Sequence, residues 1–109
     1  VHSYETQKAG GYLELEKARV RWFLSIDFND IPENIKASGQ RTYRSITVEN
    51  QEVEFSGGFT DLHTQSYQQI LSGNGFGLSE ARNSIQIVHD IRHKEAIGLK
   101  GDFHPFLKK

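Results

Sequence analysis

The run GNGFG, from Gly73 to Gly77, has the composition of a loop that could cradle a phosphate. In such a loop the backbone N–H groups bind the phosphate where a strand passes into a helix of a parallel sheet. Here the run follows a helical pattern rather than a strand, so it lacks the context that this chemistry needs. We therefore interpret it as a helix end and a turn in which glycine supplies a positive φ.

Two histidines, His89 and His93, are four residues apart with Asp90 between them, and this spacing lets two imidazoles on one helix meet a metal ion. The glutamate that a metalloprotease motif places between its histidines is missing. We interpret both as solvent-facing residues near a helix C-terminus, where the helix dipole favours their charged form. We therefore predict no metal site. The alternative, a small metal enzyme, would require stoichiometric metal in the purified protein.

Three further residues are candidates for contact with an anionic substrate, namely Arg41, Arg44 and His63. A guanidinium presents a fork that matches phosphate or carboxylate, although a solvated strand face explains the two arginines equally well. Because they are three apart on a predicted strand, they point to opposite sides, and at most one faces a ligand. For His63, near Asp61 and Tyr67 on a predicted helix, we favour a structural role over a position in a cleft, since no nucleophile or second base has relay spacing.

The chain has 109 residues, which suits one domain with a single core. Its 13 basic and 14 acidic side chains give a formal charge of −1, and this balance indicates neither nucleic acid nor an anionic membrane as a partner. The absence of cysteine excludes disulfides, thiolate metal sites and a cysteine nucleophile, and it fits a reducing compartment.

No apolar run approaches the roughly 20 residues of a membrane span, and the N-terminus lacks the pattern of a signal peptide. We therefore expect a cytoplasmic protein. Since Val1 is not an initiator methionine and a polar stretch follows it, we interpret the chain as a fragment of a larger protein.

Residues 19–28, RVRWFLSIDF, alternate two chemistries with period two and predict the central strand of a sheet. The face that we expect on the core carries Val20, Trp22, Leu24, Ile26 and Phe28. The other face is mixed, as in antiparallel sheets, and carries Arg19, Arg21, Phe23, Ser25 and Asp27.

The segments around this strand predict shorter elements. Gly10-Gly11 is a turn signal before a first strand, and a tight turn near residues 17–18 leads from that strand into the central one, unless the two form one long bulged strand. Residues 29–40 predict a short helix that is capped by Asp30 and ends near Gly39.

Residues 41–55 alternate again, and residues 49–51 interrupt them as a hairpin loop would. The period then changes to about 3.6, which predicts one helix capped by Thr60 and ending at Gly73, and a second capped by Ser79. The apolar stripe of the first helix comprises Leu62, Ser66, Tyr67, Ile70 and Leu71, and the buried side of the second comprises Ala81, Ile85, Val88 and Ile91. The tail, residues 96–109, is an extended arm or a disordered end, and the sequence does not decide between them.

Three segments carry a family resemblance, namely GGYLELEKARVRWFLSIDFND, GQRTYRSITV and GGFTDLHTQSYQQILSGNGFGLSEARNSIQIVHDIR. They resemble the C-terminal part of sugar-nucleotide dehydrogenases in the Gfo/Idh/MocA oxidoreductase family, over residues 10–93. The chain looks most like the bacterial UDP-N-acetylglucosamine or UDP-N-acetylglucosaminuronate 3-dehydrogenases, which serve lipopolysaccharide O-antigen biosynthesis.

The resemblance implies an α+β fold with an open, mainly antiparallel sheet and helices packed on one face. Residues 1–95 would form a substrate and oligomerisation domain, followed by the tail 96–109. Family members bind NAD(P) in an N-terminal Rossmann domain, which is not among these residues. The open sheet of their second domain helps to build the substrate site and the subunit contacts. The expected partners are therefore a UDP-sugar, the protein's own Rossmann domain and a second copy.

No catalytic residue is expected in this chain. The family's catalytic lysine lies in a Glu-Lys-Pro motif of the other domain, and here Glu16-Lys17 is followed by alanine. Neither Asp61 with His63 nor Asp90 with His93 has the spacing of the family's Asp-x-x-x-His pair. We therefore expect a fragment of an NAD(P)-dependent sugar-nucleotide dehydrogenase, inactive and without a cofactor site by itself. The alternative is a self-standing interaction module that associates through its sheet.

The mixed face of the central strand predicts a subunit interface. If the face of Trp22 lies against the two long helices, Phe23 lies on the opposite side with Arg21 and Ser25, where the chain has no spare helix to cover it. Uncovered mixed surfaces often mark protein contacts. We therefore predict an isologous dimer, sheet against sheet, with Arg21, Phe23 and Ser25 in the interface.

Overall fold

The computed structural model describes residues 1–57 and 60–108. In these residues the strands are β1 (Ser3–Tyr4), β2 (Lys8–Glu14), β3 (Arg19–Ser25), β4 (Ser45–Val48) and β5 (Gln51–Glu54). The α-helices are α1 (Glu33–Ala37), α2 (Leu62–Leu71) and α3 (Leu78–His93), and short 3-10 helices span Phe28–Asp30 and Pro105–Lys108. Strands β1, β2 and β3 form one antiparallel sheet in that order, and β4 and β5 form a second antiparallel pair.

The chain divides into two compact units. The first contains residues 1–42 and the C-terminal residues from 93 onward, and the second contains residues 43–92. The first unit holds the three-stranded sheet and α1, and the second holds the β4–β5 hairpin, α2 and nearly all of α3. The predicted α+β class with antiparallel strands is confirmed, although the described strands form two sheets. The grouping of residues 1–95 as one domain stays a prediction.

The β2–β3 hairpin forms as predicted, but its glycines lie elsewhere. The N–H of Leu15 donates to the carbonyl of Ala18 at 2.8 Å, which closes the predicted turn before β3. Gly10 and Gly11 lie in the middle of β2, opposite Phe23 and Trp22. Their interpretation as a turn is therefore wrong, because both lie inside β2, where the Leu107 side chain lies close to Gly10 and the Trp22 indole lies close to Gly11.

The short helix also begins differently from the prediction. Pro32 is the N-cap of α1, and the carboxylate of Asp30 accepts a hydrogen bond from the Ser25 hydroxyl at 2.7 Å, with the Lys8 Nζ 3.7 Å away. Asp30 is thus a link to the sheet and does not cap α1. The end is as predicted, since Gly39 follows the helix with a φ of +87°.

The predicted hairpin in the second unit is confirmed. Strands β4 and β5 are joined by Glu49 and Asn50, whose φ values are 50° and 66°. Two successive residues with positive φ match a type I′ turn, whose twist suits the strands on either side. Asparagine tolerates this conformation better than most residues, whereas glutamate adopts it at some cost.

The caps of the two longer helices differ from those predicted. Asp61, not Thr60, is the N-cap of α2, and its side chain makes no capping hydrogen bond. Helix α3 begins at Leu78, one residue before the predicted cap Ser79. The N–H of Gly77 donates to the Glu80 carboxylate at 2.6 Å. The side chain of the third residue of α3 therefore caps the N–H of the residue that precedes the helix.

The glycine-rich run connects the two helices, as predicted. Gly73 follows α2 with a φ of +82°, and α3 begins directly after Gly77. The run is therefore a helix-to-helix turn.

Burial is shallow throughout the described residues. No apolar side chain in them is fully buried, and the buried polar residues are His2 and Ser56. The expectation that Leu24 and Ile26 lie on a core is wrong, because they are 68% and 82% exposed. The apolar stripes of the helices are also exposed, and this corrects the predicted buried side of α3 at Ala81, Ile85 and Val88. None of the described helices is long and apolar enough to cross a membrane.

Candidate functional site

The C-terminal residues return to the three-stranded sheet. The N–H of Ile97 donates to the carbonyl of Val1 at 3.0 Å, and the N–H of Gly98 donates to the carbonyl of His2 at 2.9 Å. We call residues 97–108 the C-terminal arm. The sequence left open whether this tail is an arm or disordered, and the structure shows a packed arm.

The arm contacts one face of the sheet, which we call the arm face and which carries Gly10, Arg21, Phe23 and Ser25. The ring of Phe23 stacks on the imidazole of His104, with centroids 5.8 Å apart and planes at 19°. The ring of Phe106 meets Phe23 edge-on, with centroids 5.7 Å apart. The expectation that nothing in the chain covers Phe23 is therefore wrong. The dimer interface at Arg21, Phe23 and Ser25 stays a prediction.

Leu107 lies directly above Gly10. A Cβ placed on Gly10 would come within 2.6 Å of the Leu107 Cδ1, closer than carbon atoms approach without moving. A side chain at this position of β2 would force Leu107 to move, so the glycine permits this close contact between the arm and the sheet. A glycine pair in an otherwise alternating strand was the sequence signal for this contact, and sequence reasoning missed it.

Two polar contacts flank the aromatic cluster on the arm face. Arg21 and Asp102 form an ion pair at 3.5 Å, but both side chains are more than half exposed, so the pair adds little stability. The hydroxyl of Ser25 donates to Asp30 and accepts from the Asp27 N–H at 2.9 Å. Ser25, one of the predicted interface residues, is thus engaged with the segment that follows β3.

His104 is the titratable group at the centre of this contact. Its Nδ1 accepts a hydrogen bond from the Phe106 N–H at 3.2 Å, and the ring lies half-buried between aromatic neighbours. Burial, and then the nearby charge of Arg21, hold the pKa of His104 below its ordinary value. The seated arm therefore favours the neutral imidazole.

The opposite face of the sheet, which we call the Trp22 face, carries Gly11, Val20, Trp22, Leu24 and Ile26. The indole of Trp22 covers Gly11 so closely that a Cβ there would lie 2.8 Å from the ring. The indole Nε1 is buried without a hydrogen-bond partner among the described residues. On this face Leu24 and Ile26 are exposed, whereas Ala9, Leu13 and Trp22 are half-buried.

The predicted substrate residues fall in different units. Arg41 belongs to the first unit, while Arg44 and His63 belong to the second. Arg41 and His63 are exposed. Arg44 holds its own hairpin, because its backbone N–H donates to the Ser56 Oγ at 2.8 Å and its Nη2 donates to the Ser56 carbonyl at 2.9 Å. Contact of these three residues with a ligand stays a prediction.

A tyrosine that sequence reasoning did not single out lies beside this arginine. The hydroxyl of Tyr43 donates to the carboxylate of Glu52 on β5. This hydrogen bond, more than the other causes, raises the pKa of Tyr43 above its ordinary value. The phenol therefore stays protonated, and its hydrogen bond links the residues just before β4 to β5.

The histidine pair at the end of α3 lies in a polar setting. The Nδ1 of His89 is 3.7 Å from the Asp90 carboxylate. Within residues 1–57 and 60–108, no group of three or more histidine, aspartate or glutamate side chains is placed to hold a metal ion. The interpretation of His89 and His93 as residues without a metal stays a prediction.

No family model matches the chain, but solved structures do. A WlbA (WbpB) dehydrogenase from Thermus thermophilus, in complex with NAD and α-ketoglutarate, is 50% identical over 96% of this chain with a TM-score of 0.90. The same enzyme in complex with NAD and UDP-GlcNAcA gives 47% identity over 96% of the chain and a TM-score of 0.89. This chain is similar to one part of the WlbA dehydrogenase. The 109 residues span 34% of the length of the WlbA chain in each of the two structures. The predicted resemblance to the C-terminal part of sugar-nucleotide dehydrogenases is thereby confirmed.

Proposed function

We propose that the full-length protein is an NAD-dependent dehydrogenase that oxidises C3 of a UDP-N-acetylhexosamine or of its uronate in lipopolysaccharide biosynthesis. Identity of 47–50% to WlbA structures that hold NAD and UDP-GlcNAcA carries this proposal. At that level of identity over 96% of the chain, both the fold and the role of this segment are expected to be retained. The segment contributes substrate contacts and a subunit interface.

The hydride chemistry belongs to the remainder of the protein. NAD needs a glycine-rich turn between a strand and a helix for its pyrophosphate, and the run from Gly73 to Gly77 instead joins α2 to α3. The described residues therefore do not fit NAD, and we assign no cofactor contact to them. The catalytic groups likewise lie outside this chain.

Arg41 is the first residue to test for contact with the anionic sugar nucleotide. Its guanidinium is exposed, whereas that of Arg44 donates to the Ser56 carbonyl. In the full-length enzyme, Arg41→Ala should raise the KM for the UDP-sugar more than it lowers kcat, because it removes binding common to ground and transition states. Arg82→Ala, at an exposed position of α3, is the matched control. Unchanged kinetics of Arg41→Ala would leave the arginine as part of a solvated surface.

The direct test is an assay of the full-length protein with NAD and UDP-GlcNAcA. Formation of NADH is the expected result. UDP-GlcNAc is assayed separately as the alternative substrate, and UDP alone is the blank. The 109-residue chain by itself should neither reduce NAD nor bind it in calorimetry. The proposal fails if no UDP-sugar supports NADH formation, and the division of labour fails if the isolated chain is active.

We place the protein in the cytoplasm as a homo-oligomer. The cysteine-free sequence suits a reducing compartment. The exposed apolar side chains of Leu24 and Ile26 supply a surface for contact with another part of the protein or with a second copy. The same observation favours the second candidate function, an interaction module, and the NADH assay separates the two.

A further inference from the structure

The outer edge of β3 is the side of this strand that faces away from β2. The N–H of Ile26 donates to the carbonyl of Gln7 at 2.9 Å, and the N–H of Leu15 donates to that of Ala18 at 2.8 Å. Between these two bonds the register of β2 and β3 is unbroken. Because backbone groups alternate in direction along an antiparallel strand, the two bonds fix every position between them. The backbone N–H and C=O groups that point to the outer edge are those of Arg19, Arg21, Phe23 and Ser25.

These outward backbone groups have no partner in the part of the chain that the structure describes. β3 is the last strand of its sheet, and no hydrogen bond reaches its outer edge from residues 1–57 or 60–108. The other side of the sheet differs, because the N–H groups of Ile97 and Gly98 donate to the carbonyls of Val1 and His2 just before β1. The arm therefore engages one side of the sheet, and the side formed by β3 is open.

β3 has the properties of a strand that is paired on both sides. It is seven residues long and without proline, and its register with β2 contains no bulge. Strands that stay at the edge of a sheet are typically short, bulged or interrupted by proline, since these features prevent further pairing. β1, with two residues, fits that description, and β3 does not.

The side chains beside this edge define the kind of strand that fits it. On the arm face they are Arg19, which is exposed, and Arg21, which is 51% exposed beside Asp102. On the Trp22 face, Val20 and Leu24 are exposed. Side chains that share a face of paired strands lie about 5 Å apart and interact. A fitting strand therefore alternates acidic or polar side chains with apolar ones.

We propose that the outer edge of β3 pairs with such a β-strand, supplied by the part of the same protein that lies outside these 109 residues. The proposal rests on the proposed function, because it takes the full-length protein to be of WlbA type, and these residues span 34% of a WlbA chain. β3 of a second copy fits poorly, since it would bring two more arginines to the same face, where like charges on paired strands repel.

Hydrogen exchange in the full-length protein, measured for single residues by NMR and corrected for intrinsic rates, tests the pairing. The inward amides of Val20, Trp22 and Leu24 are the internal controls, because β2 protects them whether or not the outer edge is paired. We expect the outward amides of Arg21 and Phe23 to exchange within about 30-fold of the controls. Faster exchange than this limit would show an open edge and overturn the proposal.

Contacts between amide protons identify the strand that pairs with β3. Protomers labelled with ¹⁵N are refolded together with an excess of unlabelled ones, so that a contact between two labelled amides persists only when both belong to one protomer. We expect contacts from Arg21 and Phe23 to residues outside this chain, and we expect them to persist. Contacts that disappear on dilution would identify a second copy. Either that result or the absence of any cross-strand contact would overturn the proposal.

Arg21→Pro gives a measurement that does not depend on exchange rates. The variant removes one outward N–H, whereas the matched control Arg21→Thr keeps it and equally loses the side chain and its ion pair. Proline is tolerated where the N–H faces solvent but removes a hydrogen bond and clashes where the strand is paired. We expect Arg21→Pro to lower the Tm of the full-length protein by at least about 6 °C more than Arg21→Thr does. A smaller difference would contradict pairing at Arg21.

The NADH assay of the wild type separates this inference from the proposed function. An active dehydrogenase with an open β3 edge would overturn the pairing and keep the function. A protein with a paired edge that forms no NADH with any UDP-sugar would keep the pairing and overturn the function.

Discussion

The two faces of the three-stranded sheet differ in what covers them. On the arm face, Phe23 lies half-buried under His104 and Phe106. On the Trp22 face, Leu24 and Ile26 are 68% and 82% exposed, although the alternation in β3 gives this face the larger apolar side chains. Period-two alternation therefore identifies which residues share a face, and it does not tell which face the chain itself covers.

Among the variants that test this comparison, Phe23→Asp should lower the free energy of unfolding most. A carboxylate in place of the ring loses two aromatic contacts and lies in a half-buried site, so we expect the free energy of unfolding of the chain to fall by about 2 to 3 kcal/mol. Denaturant unfolding followed by circular dichroism measures the change. Hydrogen exchange in the arm should rise in the same variant, because Phe23 is the residue on which His104 stacks.

Sedimentation of the same variant separates two roles of Phe23. If the ring only holds the arm, the wild type and Phe23→Asp sediment alike. If the predicted dimer uses this face, the wild type sediments as a dimer and the variant as a monomer. A variant with unchanged stability and a protected arm would contradict the packing described for the arm face.

Substitution of the glycines on the two faces should lower the free energy of unfolding by unequal amounts. In Gly11→Ala the new methyl meets the rigid indole of Trp22, and in Gly10→Ala it meets the flexible end of Leu107. We expect Gly11→Ala to lower the free energy of unfolding by about 2 kcal/mol and Gly10→Ala by about 1 kcal/mol, since a leucine can change rotamer where an indole must move as a whole. Thermal unfolding of both variants makes the comparison. Equal losses would mean that the two contacts are equally adaptable.

The sequence predicted those elements whose signals are local. The hairpin turn at Glu49 and Asn50, the helix-to-helix turn from Gly73 to Gly77 and the helix end before Gly39 all depend on residues within a few positions of the feature. Hydrogen bonds in such turns close over three or four residues, so the pattern that specifies them is contained in a short window.

The features that were missed depend on distant partners. Gly10 and Gly11 are typical of a turn until Leu107 and Trp22 are known to lie above them. The arm has no period of its own, because its contacts come from separate aromatic side chains that reach back to a sheet formed about 80 residues earlier. The contacts of the candidate substrate residues were also not predicted, since nothing near Arg44 in the sequence indicates that its guanidinium donates to the Ser56 carbonyl.

The smallest effect should come from Leu24→Asp on the Trp22 face. Leu24 neighbours Phe23 in β3 but is 68% exposed, so in the 109-residue chain the substitution should change the free energy of unfolding by no more than about 0.5 kcal/mol. The same substitution in the full-length protein tests what covers this face there. A loss well above that of the isolated chain would show that the remainder of the protein, or a second copy, packs on Leu24. A small change in both would show that nothing packs on Leu24, and the arm face would then be the remaining candidate surface of this sheet for subunit contact.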